Sequence, residues 1–125
     1  MMIQEFEVSI KWHEEIKPVF VRSNFQEENS FDDVIGLSKA LDETLLNTDI
    51  DVAASRGLIF VDVNQYENAY SIKGRYSLNN DEVNLQGRLF KGKQMVGVFE
   101  VSGIRSQLQT LIDEILMQVV KIMGE

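Results

Sequence analysis

The chain contains no cysteine. That single absence removes disulfides, thiolate metal sites and cysteine nucleophiles together. Histidine occurs once, at His13, so any catalytic triad would have to use that residue. No Gly-x-Ser-x-Gly elbow exists to carry a nucleophile, and neither a Gly-x-Gly-x-x-Gly turn nor a Walker lysine loop is present. No apolar run approaches the ~20 residues a membrane helix needs. Met1–Glu5 lacks the basic-then-apolar order of a signal peptide. Basic residues are scarce, 12 against 20 acidic ones, for a formal charge of −8. An acidic surface repels phosphate, so the expected partners exclude nucleic acid, and membrane insertion is not expected. No cofactor is implied.

What remains is ordinary globular material. Apolar residues make up 44% of the chain and charged ones 26%, enough for one core. We expect a single domain over residues 1–125, standing alone or cut from a longer protein.

Periodicity supplies the elements. Phe6, Val8, Ile10 and Trp12 alternate with polar residues and predict a strand with one wet face. A second strand is expected over Ile16–Ser23, with Pro18 at its start or on a sheet edge, because proline cannot donate to a ladder. Residues 24–30 read as a polar loop. Ser30 is a candidate helix cap, with Asp32 and Asp33 in the first turn, and Phe31, Val34, Ile35, Leu37, Leu41, Leu45 and Leu46 recur at helical spacing up to Asn47. Asp49–Arg56 fits a helix extension, a short helix or a loop. Leu58–Val63 predicts a buried strand.

Three alternating runs follow, Ala69–Leu78, Glu82–Phe90 and Gln94–Val101, separated by Asn79-Asn80-Asp81 and Lys91-Gly92-Lys93. They predict an antiparallel meander. Gly74 and Gly87 lie on otherwise apolar faces, marking a bulge or a close helix approach. From Ser102-Gly103 onward, Ile104, Leu108, Leu111, Ile112, Ile115, Val119, Ile122 and Met123 trace a helical stripe, widened by Leu116 and Val120. The predicted class is α+β: a mostly antiparallel sheet of about five to six strands with two helices packed on one face.

Sites are thin. His13, beside Trp12 and Glu14-Glu15, reads as an exposed strand-end residue. Carboxylates adjacent on a strand point to opposite faces, so neighbours such as Asp81-Glu82 suit acid–base work poorly. Asp49-x-Asp51 has the start of a calcium loop without its glycine and distal glutamate, and a solvated loop is the plainer reading. Lys73, Arg75 and Arg88 fall on the polar side of the meander, with Lys91 and Lys93 close by. An open sheet face would let these cations receive an acidic partner segment; the plainer reading is a soluble face that balances nearby acids. Val19 and Val21, behind Pro18, read as an edge strand that a partner strand can extend.

Tyr70-Ser71-Ile72-Lys73-Gly74-Arg75-Tyr76, followed by Asp81-Glu82-Val83-Asn84-Leu85-Gln86-Gly87-Arg88-Leu89-Phe90, resembles the aromatic-x-x-x-Gly-x-aromatic strand and following strand of TolB amino-terminal domains and of bacterial envelope domains of the CsgG and LpoB type. A further strand and a C-terminal amphipathic helix come next in both. The resemblance runs over residues 19–123 and is strongest over 69–123. It departs in the segment between the first helix and the glycine-bearing strand, which is shorter here. The resemblance implies protein docking without catalysis, in the periplasm or cell envelope; without it the cytoplasm is the default.

The expected function is therefore a non-enzymatic protein-interaction domain, accessory to a larger bacterial assembly. Its candidate binding residues are Lys73, Arg75, Arg88, Val19 and Val21. A homodimer through the spare flank of the last helix is a further partner expectation. The alternative is a small-ligand or substrate-binding regulatory domain appended to an enzyme such as a protease, which requires a pocket between helix and sheet. A small hydrolase built on His13 ranks last.

Overall fold

The computed structural model describes residues 18–51 and 58–124, with residues 48–51 described by their backbone alone. The expected strand over Ile3–Trp12, and His13 after it, lie outside the described residues. In chain order the elements begin with β1 (Val19–Phe20), β2 (Asn24–Glu27), α1 (Leu37–Asp51) and β3 (Ile59–Phe60). The three long strands β4 (Tyr70–Asn79), β5 (Glu82–Lys91) and β6 (Gln94–Ile104) follow, then a short 3-10 turn and α2 (Leu108–Met123).

The sheet order is β3-β1-β4-β5-β6, with β2 also paired to β4. β4, β5 and β6 form the antiparallel meander, while β1 and β2 run parallel to β4 and β1 parallel to β3. Both helices pack on one face, and one apolar cluster joins them to the sheet. It includes Leu41 and Leu45 of α1, Ile72, Tyr76, Leu85 and Leu89 of the sheet, and Ile112 and Ile115 of α2. The α+β class follows directly from this arrangement.

β1 and β2 are one strand interrupted by a bulge. Phe20 pairs with Tyr70 and Asn24 with Lys73, so four steps along one strand match three along the other. The bulge turns Ser23 toward α1. The Ser23 amide donates to Asp42 Oδ1 at 2.8 Å, and its hydroxyl donates to the same oxygen at 2.8 Å. One residue past the bulge, the Phe25 amide donates to Ser38 Oγ at 2.8 Å. This corrects two expectations. Residues 24–27 are strand rather than loop, and Val19 and Val21 are not on a free edge. β1 lies between β3 and β4, and Val21 is only 3% exposed. Side chains of α1 occupy the amides at Ser23 and Phe25 that an edge would offer to a partner.

Burial raises the proton affinity of the Asp42 carboxyl above its ordinary value of 3.8, and the two hydrogen bonds from Ser23 partly oppose this. A raised folded-state value means that protonation favours the fold. The contribution is full below the unfolded value and is lost as pH rises through the folded one. Asp42→Asn keeps an acceptor and removes the titration. Urea unfolding at about pH 4 and about pH 7 should therefore show the native protein losing more stability across the interval than the variant.

The first helix begins later than expected. Phe31 has φ 61° and sits in a turn closed by Glu27, whose carboxylate accepts from the amides of Asn29 (3.1 Å) and Ser30 (2.8 Å). Ser30 Oγ accepts only from Asp32 N, at 3.2 Å, and caps no helix. α1 starts at Leu37 and continues past Asn47 to Asp51. The dense run at 58–63 yields two strand residues, because the chain bends over residues 61–63, where the Val63 amide donates to the Val61 carbonyl. β6 extends to Ile104, so Ser102 and Gly103 belong to the sheet and not to the last helix.

Candidate docking face

Each strand of the meander buries one row of side chains, leaving the other row on the face opposite the helices. The register sorts that outer face into successive rows. Ser71 lies opposite Phe90, Lys73 opposite Arg88, and Arg75 opposite Gln86. β2 extends two rows sideways, with Asn24 beside Lys73 and Gln26 beside Arg75. β6 adds Val98 beside Arg88 and Glu100 beside Gln86. No described element covers this face.

Lys73 and Arg88 are thus direct cross-strand neighbours of like charge. Among the described residues the only ion pair is Arg22–Asp62, at 2.6 Å, on the far side of β1. Their cations rest instead on aromatic rings or in solvent. The Lys73 ammonium stands 5.2 Å from the centre of the Phe90 ring, and the Arg75 guanidinium 6.0 Å from that of Phe31. Asn24, Gln26 and Gln86 complete a trough of about 400 Å³ around Lys73, Arg75 and Arg88.

A larger concavity of about 740 Å³ adjoins it through Lys73. Its walls are the loop carrying Tyr66 and Glu67, the ring of Phe90, and Lys93 of the β5–β6 turn. Tyr66 is 56% exposed. Neither Tyr66 nor Phe90 was among the residues singled out from sequence. Both had a signal: Phe90 is out of phase with Val83, Leu85 and Leu89, and Tyr66 is the one ring in a polar stretch.

The structure brings Lys73, Arg75 and Arg88 together on one face. Val21, buried in its strand, lines the larger concavity together with Lys73, whereas Val19 lines neither concavity. Val120, expected to widen the apolar stripe of α2, is 66% exposed and lies with Met117 on the solvent side. The space between helices and sheet is filled by the core cluster, and both concavities lie outside it. Among the described residues, no three of His, Asp and Glu converge as metal ligands. The side chains of Asp49 and Asp51 fall outside the described residues. No described helix is long and apolar enough to cross a membrane.

A second polar cluster serves the fold. The buried Tyr76 hydroxyl donates to Asp33 Oδ1 at 2.7 Å and accepts from the Ile35 amide at 3.2 Å. The same carboxylate accepts from the amides of Leu37 (2.9 Å) and Ser38 (2.6 Å), capping α1 from four residues upstream. Burial pushes the proton affinity of the Tyr76 phenol up, and the Asp33 carboxylate adds to the effect.

No family model matches the chain, and no curated protein is similar to it in sequence. Several solved structures are weakly similar to it at low identity. The LpoB C-terminal domain from Salmonella enterica is 15% identical, with a TM-score of 0.42 over 70% of this chain and 82% of that one. PelC from Paraburkholderia phytofirmans, solved as a dodecamer, is 16% identical, with a TM-score of 0.47 over 82% and 86%. A ribosomal subunit interface protein from Coxiella burnetii is 8% identical, with a TM-score of 0.40 over 85% and 99%. These are weak likenesses of fold alone.

Proposed function

We propose that this domain binds protein and has no catalytic chemistry of its own, docking an acidic segment of a partner on the outer face of its sheet. One observation carries the reading. Lys73 and Arg88 oppose each other across β4 and β5 with no carboxylate among the described residues paired to either, on a chain of net charge −8. Like charges directly opposite cost about 0.2–1 kcal/mol. A fold that keeps such a repulsion while acids are abundant elsewhere has a use for it when a partner's carboxylates arrive.

The proposal makes two effects move in opposite directions. Arg88→Glu turns the repulsion into an attraction, so the free domain should gain up to about 1 kcal/mol in urea unfolding. Arg75→Glu with Arg88→Glu should weaken binding of a poly-glutamate peptide, followed by calorimetry, by about tenfold or more, and added salt should weaken native binding. Unchanged peptide affinity in the double variant removes this face from the proposal.

The finer form, an accessory role in a bacterial envelope assembly, rests on the sequence likeness over residues 69–123. Fractionation of the native host tests it. The small-ligand alternative retains one supporting observation, the 740 Å³ concavity beside Tyr66, whose size suits a compact ligand.

A further inference from the structure

The two concavities share Lys73, and the rows of the outer face carry them in a fixed order. The Phe90 ring lies at the Ser71–Phe90 row, and Tyr66 lines the larger concavity with it, among polar residues of its loop. The paired cations Lys73 and Arg88 come one row further along, and Arg75 one row beyond them. Successive rows on one face of a strand are two residues apart, roughly 6.6 Å. An extended peptide laid along the strands presents its own side chains with that same spacing.

We infer that this face reads a short extended segment with one bulky apolar residue and carboxylates at the second and fourth positions from it. The inference rests on the docking face proposed above and specifies what that face selects. The apolar residue enters the concavity between Tyr66 and Phe90. The first carboxylate meets Lys73 and Arg88, relieving their repulsion, and the second meets Arg75. The Lys73 ammonium, held over the Phe90 ring, sits at the junction of the anchor row and the first acid row. Glu67 lines the concavity with Lys73 and Lys93, so its choice of an apolar anchor rests on the Tyr66 and Phe90 rings and not on charge. A large aromatic side chain buries on the order of 150–250 Å² and suits such a space.

The test uses the full chain and short synthetic peptides in calorimetry. The first peptide carries tryptophan at position one and glutamates at three and five, with serine between. The second replaces the tryptophan by alanine. The third moves the glutamates to positions two and four. The fourth has tryptophan and no glutamate. The first should bind about tenfold or more tightly than the others. Tyr66→Ala, an exposed position, should erase the difference between the first and second peptides while leaving the second unchanged. Equal binding of the first three peptides overturns the spacing and the anchor, and leaves charge-driven docking standing. Tight binding of the fourth overturns the inference in favour of a plain apolar ligand site. No binding of the first three or of poly-glutamate defeats both this inference and the docking face.

Discussion

Replacing Gly74 by alanine should cost about 3 kcal/mol or more in urea unfolding. Gly74 and Gly87 face each other across β4 and β5. A methyl group on Gly74 would lie 2.5 Å from the carbonyl oxygen of Gln86 and 3.0 Å from the α-carbon of Gly87. Both obstacles are backbone, so the strands themselves must part. Gly87 differs in kind. A methyl group there would sit 2.2 Å from the ring of Phe99, which lies over the glycine. That obstacle is a side chain, though a buried one in a filled core. Gly87→Ala should cost about 1–3 kcal/mol, and trimming the ring in Gly87→Ala with Phe99→Leu should recover part of it. No second substitution on a neighbouring side chain should rescue Gly74→Ala. A Gly74→Ala variant as stable as the native chain would contradict the register of the central hairpin.

The second large effect is expected at Asp33. Its carboxylate joins the start of α1 to the Tyr76 hydroxyl in the core. Asp33→Ala removes a helix cap, a loss of about 1 kcal/mol. It also strands a buried hydroxyl donor, a further ~1–3 kcal/mol. Tyr76→Phe should cost about 1 kcal/mol, since Asp33 keeps both backbone donors. Combining the two should cost less than their sum, because the double variant has no orphaned phenol. Additive losses would mean that the two groups do not communicate.

The same cluster explains why α1 starts at Leu37 and not behind Ser30. Ser30 and Asp33 both carry capping chemistry, and both precede an apolar periodic run. The choice between them is made by Tyr76, more than forty residues further along the chain, whose hydroxyl holds the Asp33 carboxylate in place. Local spacing contains no trace of that contact. The run at 58–63 failed for a related reason. β-branched density indicates burial, but here regular pairing stops after two residues. The chain bends over residues 61–63 while staying bonded to its neighbour, the Val61 amide donating to the Phe20 carbonyl, Asp62 pairing with Arg22 and the Val63 carbonyl accepting from the Arg22 amide.

Gly74 and Gly87 were legible as close-approach positions, but not for what approaches them. The expected bulge lies at Leu89 and Phe90, and the expected helix contacts fall at Gly97, against Ile122, and at Gly103, against Leu111. Gly74 and Gly87 instead accept the rings of Phe25 and Phe99. The candidate cations were legible as a set, since alternation alone puts Lys73, Arg75 and Arg88 on one side. Tyr66 was not, because a loop residue reaches the face only through the path of its chain.

From the amino-acid order alone came the meander, its turns and the buried side of the last helix. A two-residue period, a 3.6-residue period and the positive φ angles at Asn80 and Gly92 are all local properties. Only the tertiary structure decided that β1 is interior, that Asp33 caps the first helix, and that no carboxylate among the described residues pairs with Lys73 or Arg88. Each of these depends on parts of the chain distant in sequence. Parallel pairing and long-range hydrogen bonds leave no period in the residues that make them.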